Sequence, residues 1–229
     1  GNRYEVWLVN GNQRLSLGLL TVDASGKGQL IFDAMENENL LSAYDTVEVT
    51  IEADPDSNPR TSGIIAYSFT LPEPGLTHLR YLLITFPTTP NQVGLIQGLY
   101  SNIKSIHELA AEMQKASARR DEDTLRLSAM AMQNVIVGEQ SPTYGEPDGD
   151  GGFAQAGDGF GLLLNGTNQG YLPAAFAESE AIVKSANASG PMLTYGEGLK
   201  NSLQNLAQWT AELQVLLQAI ETAPAGSDT

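Results

Sequence analysis

The sequence contains no cysteine among its 229 residues. This absence excludes disulfide bonds, thiolate catalysis and zinc sites built on cysteine. Basic residues are also few, because 12 Lys and Arg stand against 27 Asp and Glu, which gives a formal net charge of -15. A chain this acidic is not expected to bind nucleic acid or anionic lipid, since both attract clustered Lys and Arg.

Histidine and known catalytic motifs are scarce as well. The chain has 2 histidines, His78 and His107, and it contains no GxSxG, HExxH or P-loop pattern. The glycine-rich run at 157–161 follows no apolar strand and opens no helix, as a dinucleotide-binding loop would. We interpret His107 as a surface or capping residue. The sequence therefore predicts a chain that is not an enzyme, with no catalytic or cofactor-binding residues.

Long apolar runs are missing too. No stretch approaches the roughly 18 apolar residues of a membrane-spanning helix, and no signal peptide is recognisable. The chain opens on Gly1 and enters a strand-like pattern at once. We expect a fragment of a longer parent protein whose membrane anchor lies outside this sequence.

Apolar residues make up 41% of the chain, enough to bury a core. Up to Leu71 the pattern is typical of short strands, at 4–9, 15–22, 29–32, 46–52 and 63–71. In the fourth of these, Val47, Val49 and Ile51 alternate with polar residues, and we expect them, with Trp7, in the core. This spacing predicts a small all-β sandwich over residues 1–73.

The pattern changes at Leu71–Gly75, a segment with two prolines. Beyond it, apolar residues recur every three or four positions, at Ile96, Leu99, Ile103, Ile106, Ala110 and Met113. Asp121 is suited to cap a second helix, and Gly138 to end it. We predict an antiparallel bundle of about four helices over 76–223, followed by a disordered tail at 224–229. The fold class is thus two-domain α+β.

The predicted strand domain resembles the extracytoplasmic domain of anti-sigma-K factors of the RskA type. The residues that carry the resemblance lie at 4–8, 17–20 with Asp23 and Gly26, 47–52, and 56–60 before Ile64 and Ile65. They cover about a third of the chain. The helical remainder resembles no family that we recognise.

The resemblance implies a bacterial, membrane-tethered regulator of transcription. In such proteins an inner domain holds a sigma factor, one helix spans the membrane, and the β domain lies outside the cytoplasm. Regulated proteolysis releases the sigma factor, so the expected partners are proteins that deliver the signal or cleave the chain. This fragment holds neither sigma-binding helices nor a His–Cys–Cys zinc motif, and it is not itself expected to bind a sigma factor.

One segment has the composition of a metal site. A long glycine-rich loop is predicted at 139–170, and loops of that length are usually functional or disordered. Its acids alternate as in the start of a calcium loop, which gives the candidate ligands Glu146, Asp148, Asp150, Gly152 and Asp158. The final acid comes one position late, and the alternative is an acidic turn whose aspartates cap backbone amides.

Two functions follow from these observations. The first is the non-catalytic, extracytoplasmic sensory or interaction region of an anti-sigma factor-like regulator. The alternative is an exported binding or structural module that Ca²⁺ stabilises and that plays no part in sigma factor control.

Overall fold

A computed structural model of the chain describes residues 1–35, 38–55, 60–145, 156–185 and 189–224. The chain divides into two compact units, Gly1–Leu76 and Thr77–Thr229. The architecture is α+β, with a four-stranded antiparallel sheet in the first unit and long helices in the second.

The first unit is built on four strands and one short helix. These elements are β1 (Asn2–Asn10), β2 (Gln13–Leu20), α1 (Leu40–Ala43), β3 (Thr46–Ala53) and β4 (Ile65–Thr70). The strands lie in the order β2-β1-β3-β4, and every neighbouring pair is antiparallel. Within the described ranges this is a single sheet, so the second sheet that a sandwich requires is not among these residues.

The strand expected at 29–32 does not form. Val22 and Gly28 make an isolated antiparallel bridge, and no ladder continues from it. Ile31 is 78% exposed, so the apolar run has no layer to pack against. β-branched and aromatic composition favours strands only where a pleated, half-buried surface is available.

The strand register sorts the sheet residues onto two faces. One face, which we call the apolar face, carries Val6, Leu8, Val47, Val49, Tyr67 and Phe69. The other face, which we call the polar face, carries Glu5, Trp7, Glu48, Thr50 and Ser68. Glu52 lies on the polar face as well, because it stands two residues beyond Thr50 along β3.

On β3 the burial of the two faces is the reverse of the one that the alternation predicts, although Val6 on the apolar face of β1 is 7% exposed. On β3, the polar residues Glu48, Thr50 and Glu52 are 8%, 0% and 3% exposed, whereas Val47 is 36% exposed. The expectation that Val47 lies in the core is therefore wrong, while the same expectation for Trp7 is confirmed at 5% exposure. The inversion is possible because side chains on the polar face satisfy one another through hydrogen bonds.

The second unit consists of helices. They are α2 (Gly75–Leu83), a 3₁₀ turn (Pro90–Gln92), α3 (Leu95–Arg119), α4 (Glu122–Val137), α5 (Tyr171–Lys184) and α6 (Gly190–Thr222). Helix α3 packs on α4 and on α5, and α6 packs on α5 and on α4. The centre of their shared core is formed by Leu82, Leu95, Ile136, Leu162, Tyr171, Leu172 and Leu217. No helix in the described ranges is both long and apolar enough to cross a membrane.

The ends of α4 lie where local sequence chemistry places them. Asp121 accepts a hydrogen bond from the backbone N–H of Thr124 at 3.1 Å, the usual N-cap geometry. Gly138 ends the helix with a φ of 74°, a backbone conformation that favours glycine. Both predicted helix ends are confirmed.

The last part of the predicted glycine-rich loop belongs to the core of the second unit. Phe160 and Leu162 are 4% and 1% exposed. The backbone N–H of Leu162 donates to the carbonyl of Ile136, and that of Tyr171 donates to the carbonyl of Gly161. The segment at 156–170 is therefore a packed connection between α4 and α5.

Candidate functional site

Four of the five predicted calcium ligands, Glu146, Asp148, Asp150 and Gly152, lie outside the described residues. Asp158 is described, and its carboxylate accepts hydrogen bonds from the Tyr171 hydroxyl at 2.6 Å and from the Phe160 backbone N–H at 3.1 Å. In the described part of the chain no group of three or more His, Asp or Glu side chains is placed to hold a metal ion. Calcium binding stays a prediction, and calorimetry with Ca²⁺ on the wild type and on Asp150→Ala tests it.

The surroundings of Asp158 show what this segment does in the fold. Asn102, 1% exposed on α3, accepts from the Asp158 backbone N–H at 3.3 Å. A Cβ atom added to Gly157 would lie 2.4 Å from the Asn102 amide oxygen, so only glycine allows this approach. Burial raises the pKa of Tyr171, and the hydrogen bond from its hydroxyl to Asp158 and the charge of that carboxylate raise it further. These contacts fasten the segment to α3 and α5.

The two histidines lie on different helices, and His107 on α3 is exposed. His78 Nδ1 lies 2.5 Å from a carboxylate oxygen of Glu178, which ties α2 to α5. The Glu178 side chain is 17% exposed. The pair is a link between two helices.

A small polar pocket of about 300 Å³ lies in the second unit. It is lined by Phe86, Thr88, Gln140, Thr167, Asn168 and Gln169. The Gln140 amide oxygen already accepts from both the backbone N–H and the hydroxyl of Thr167. The Gln140 amide oxygen is thus already engaged within the fold.

In the first unit, hydrogen bonds close the polar face of the sheet. The Trp7 indole N–H donates to the Thr50 hydroxyl at 2.9 Å, and Thr50 in turn donates to Glu52 at 2.5 Å. The backbone N–H of Ser62 donates to the same Glu52 carboxylate at 2.9 Å, and Arg14 forms an ion pair with Glu48. Buried carboxylates of this kind are tolerated because they are paired. This face offers a partner no unpaired acid among these residues.

The apolar face is open in part, with Val47 36% and Phe69 42% exposed. Beside α1 it carries a pocket of about 380 Å³. The lining is formed by Leu8, Leu40, Leu41, Tyr44, Asp45, Thr46, Val47, Phe69 and Leu71. We name this feature the sheet pocket. Since concave apolar surfaces with few polar groups are the usual binding sites of proteins, it is the candidate functional site.

Two aromatic residues of β4 are exposed on the apolar face, of which Phe69 lines the sheet pocket and Tyr67 lies outside its lining. Tyr67 and Phe69 are 58% and 42% exposed. They stand opposite Val49 and Val47 on the neighbouring strand. Exposed apolar residues that adjoin in this way mark interaction surfaces more often than scattered ones do.

The sequence predictions do not identify these residues as a site. Leu40 and Leu41 belong to a four-residue helix that no periodicity announces, and the pocket joins them to strands far away in sequence. One sequence signal is present, because no charged residue occurs between Arg60 and Glu73 in an otherwise acidic chain. A charge-free, aromatic-containing stretch that remains exposed is consistent with a binding surface.

Comparison with known proteins gives no family for this chain. No family model, no curated protein and no solved structure matches it. The likeness of the first third to anti-sigma-K factors therefore remains a prediction from the residues quoted above.

Proposed function

We propose that this chain is a non-catalytic interaction module whose sheet pocket binds apolar side chains of a protein partner. The observation that carries the proposal is the inverted sheet, closed by hydrogen bonds on its polar face and open on its apolar face beside α1. Fully burying one aliphatic or aromatic side chain stabilises a contact by roughly 1.5–3 kcal/mol. A pocket of about 380 Å³ has room for one or two such side chains.

The charge of the unit restricts the kind of partner. Residues 1–75 contain 11 acidic and 4 basic residues, a net charge of -7. A partner segment that brings apolar side chains together with Lys or Arg is therefore attracted to this unit, whereas an acidic segment is repelled. We expect binding to weaken as salt concentration rises.

The wider role that we propose is that of an extracytoplasmic region of a membrane-tethered regulator of the anti-sigma-K type. The resemblance in β1, β2 and β3 supports this role, and the absence of a recognised catalytic motif agrees with it. In this proposal the helices of the second unit form an antiparallel bundle that accompanies the sensory sheet.

The sheet pocket is tested with Nile red, a neutral apolar dye. Leu40→Ser removes a pocket-lining side chain without touching the hydrogen bonds of the sheet, so we expect the dye fluorescence to fall at least threefold. Met35→Ser is the matched control, because Met35 is 82% exposed and does not line the pocket. Equal dye binding by the two variants would contradict the site.

The regulatory role is tested in the organism of origin. We expect a sigma factor gene beside the gene that encodes this chain, and deletion of residues 1–76 is expected to change the transcripts of that sigma factor's targets. Leu40→Ser is expected to act in the same direction and Met35→Ser to have no effect. Unchanged transcripts after the deletion would overturn the regulatory role. They would not bear on the sheet pocket as a binding site, which the dye experiment tests.

A further inference from the structure

Strand β4 is an edge of the sheet, and its outer side is unpaired among the described residues. The strand order β2-β1-β3-β4 gives it one neighbour, β3. All six of its residues, Ile65–Thr70, are exposed. An edge strand presents a row of backbone N–H and C=O groups that can pair with another strand.

The two edges of the sheet differ in how they are protected. At the β2 edge the chain carries Arg14, and the ladder is interrupted by a bulge opposite Val6 and Trp7. Charges and bulges are the devices that prevent edge-to-edge pairing. The β4 edge carries no charged residue and no proline from Thr61 to Leu71. Its one irregularity lies at its start, between Ile65 and Tyr67, which leaves Tyr67–Thr70 in regular register.

We propose that the β4 edge pairs with β4 of a second copy of this chain, antiparallel, with Ser68 on the two-fold axis. A two-fold axis brings the same surface of each copy into contact, and an antiparallel strand pair has this symmetry. Centred on Ser68, the pairing places Tyr67 of each copy opposite Phe69 of the other. The two sheets then form one eight-stranded sheet with a continuous apolar face.

The side chains of β4 suit this register. Tyr67 and Phe69 lie on the apolar face, opposite Val49 and Val47, whereas Ser68 lies on the polar face, opposite Glu48. Directly opposed residues on antiparallel strands have Cβ atoms about 5 Å apart, and aromatic pairs there are favourable. The pairing thus covers two aromatic side chains of each copy and places the small Ser68 on the two-fold axis.

Charge opposes the association of two copies over most of the chain, and it opposes association least at this edge. Each chain carries a net charge of -15, so two copies repel each other wherever acidic surfaces meet. The stretch between Arg60 and Glu73 contains no charged residue, so two copies that pair through β4 oppose no like charges on the paired strands. Because the rest of each chain still repels, the association is expected to strengthen about tenfold or more between 20 mM and 300 mM NaCl.

Cross-linking tests the register directly. The chain has no cysteine, so Ser68→Cys introduces a single thiol. Opposed Cα atoms in an antiparallel pair lie about 4.5–5.5 Å apart, within the range that a disulfide spans. We expect most of this variant to form a covalent dimer under mild oxidation. Gln13→Cys, at an exposed position of the β2 edge, is the matched control and is expected to remain monomeric.

Sedimentation velocity tests the association of the unmodified chain. The wild type is expected to shift from monomer to dimer as concentration rises, and Ser68→Lys to remain monomeric, because two lysines would meet on the axis. Within its own sheet the introduced lysine would lie opposite Glu48, so the unit is expected to keep its fold. Gln13→Lys adds the same charge at the β2 edge and is expected to dimerise like the wild type.

Three results would overturn the proposal. They are a wild type that stays monomeric at 1 mM and 300 mM NaCl, a Ser68→Lys variant that dimerises normally, and equal cross-linking of the Ser68 and Gln13 cysteine variants. If the chain stays monomeric and binds an extended peptide at β4, the edge pairs with a strand of a different protein and not with a second copy. The dimer does not rest on the proposed function, because Leu40→Ser changes the lining of the sheet pocket without changing β4, although Phe69 belongs to both surfaces.

Discussion

Tyr171 connects three parts of the second unit through one side chain. Its exposure is 0%, its ring contacts Phe160 with the centroids 4.6 Å apart, and its hydroxyl donates to Asp158. Buried phenols need a hydrogen-bond partner, and here the partner is a carboxylate, which makes the bond a charge-assisted one. The proton on this hydroxyl is therefore part of the folded structure.

The raised pKa of Tyr171 predicts a loss of stability in alkaline solution. In the unfolded chain a tyrosine loses its proton near pH 10. Between that pH and the higher folded pKa, the unfolded chain has released the proton and the folded chain has not, so stability falls as pH rises. Above about pH 10, the ionisation of this tyrosine lowers the free energy of unfolding by up to about 1.4 kcal/mol per pH unit. Below about pH 9 it adds no pH dependence.

Tyr171→Phe is expected to remove this alkaline loss of stability. The variant should lose about 1 kcal/mol of stability at pH 7 with the hydrogen bond, and its stability should fall less steeply than that of the wild type above pH 10. Urea unfolding followed by circular dichroism at pH 8, 10 and 11 measures both effects. Tyr100→Phe, at a tyrosine that is 71% exposed, is the matched control. Parallel pH profiles for the wild type and Tyr171→Phe would contradict the assignment.

At the scale of elements, α3 and α5 approach each other where α3 has a glycine. A Cβ atom added to Gly98 would lie 2.2 Å from the Tyr171 ring. The ring is fixed by Phe160 and by Asp158, so it has little freedom to move aside. Gly98 is thus required by packing, although glycine inside a helix is otherwise unfavourable.

Gly98→Ala is expected to destabilise the chain by about 2 kcal/mol, because overpacking outweighs the gain in helix propensity. Gly198→Ala is the matched control, since that glycine is also inside a helix and nothing lies within 4 Å of an added Cβ. The control is expected to stabilise the chain by about 0.5–1 kcal/mol. Thermal unfolding of both variants gives the comparison, and two shifts of the same sign would contradict it.

The same scale shows which features the sequence predicts and which it does not. Asp121 and Gly138 are predicted correctly because a helix cap depends on a few neighbouring residues. The alternation of β3 is predicted correctly as well, yet its burial is not. Whether Val47 or Glu48 faces the interior depends on Trp7 and Arg14, which are far away in sequence. The sheet pocket escapes prediction for the same reason, since its lining residues meet only in the folded unit.

At the scale of the whole molecule, the dominant quantity is charge. The 27 acidic residues outnumber the basic ones by 15, and they are concentrated at 1–75 and 139–229. Self-repulsion of this kind destabilises a compact state and is reduced by salt. The acidic excess thus keeps copies of the chain apart at some cost to its stability.

Raising NaCl from 10 mM to 200 mM is therefore expected to raise the melting temperature. A gain of about 1 kcal/mol corresponds to about 2–4 °C for a chain of this size. Differential scanning calorimetry on dilute samples of Ser68→Lys separates this effect from association through β4. A melting temperature that is unchanged or lower in salt would show that the acidic residues do not repel one another appreciably in the folded chain.

The chain has 2 tryptophans, and they lie one in each unit. Trp7 is 5% exposed and hydrogen-bonded to Thr50, whereas Trp209 on α6 is 62% exposed. The indole of the first unit is therefore shielded from collisional quenchers, and that of the second is open to them. Acrylamide quenching of tryptophan fluorescence can thus follow each unit separately without any label. Loss of the Trp7–Thr50 contact is expected to shift the fluorescence emission of Trp7 to the red, and this shift reports on the sheet alone.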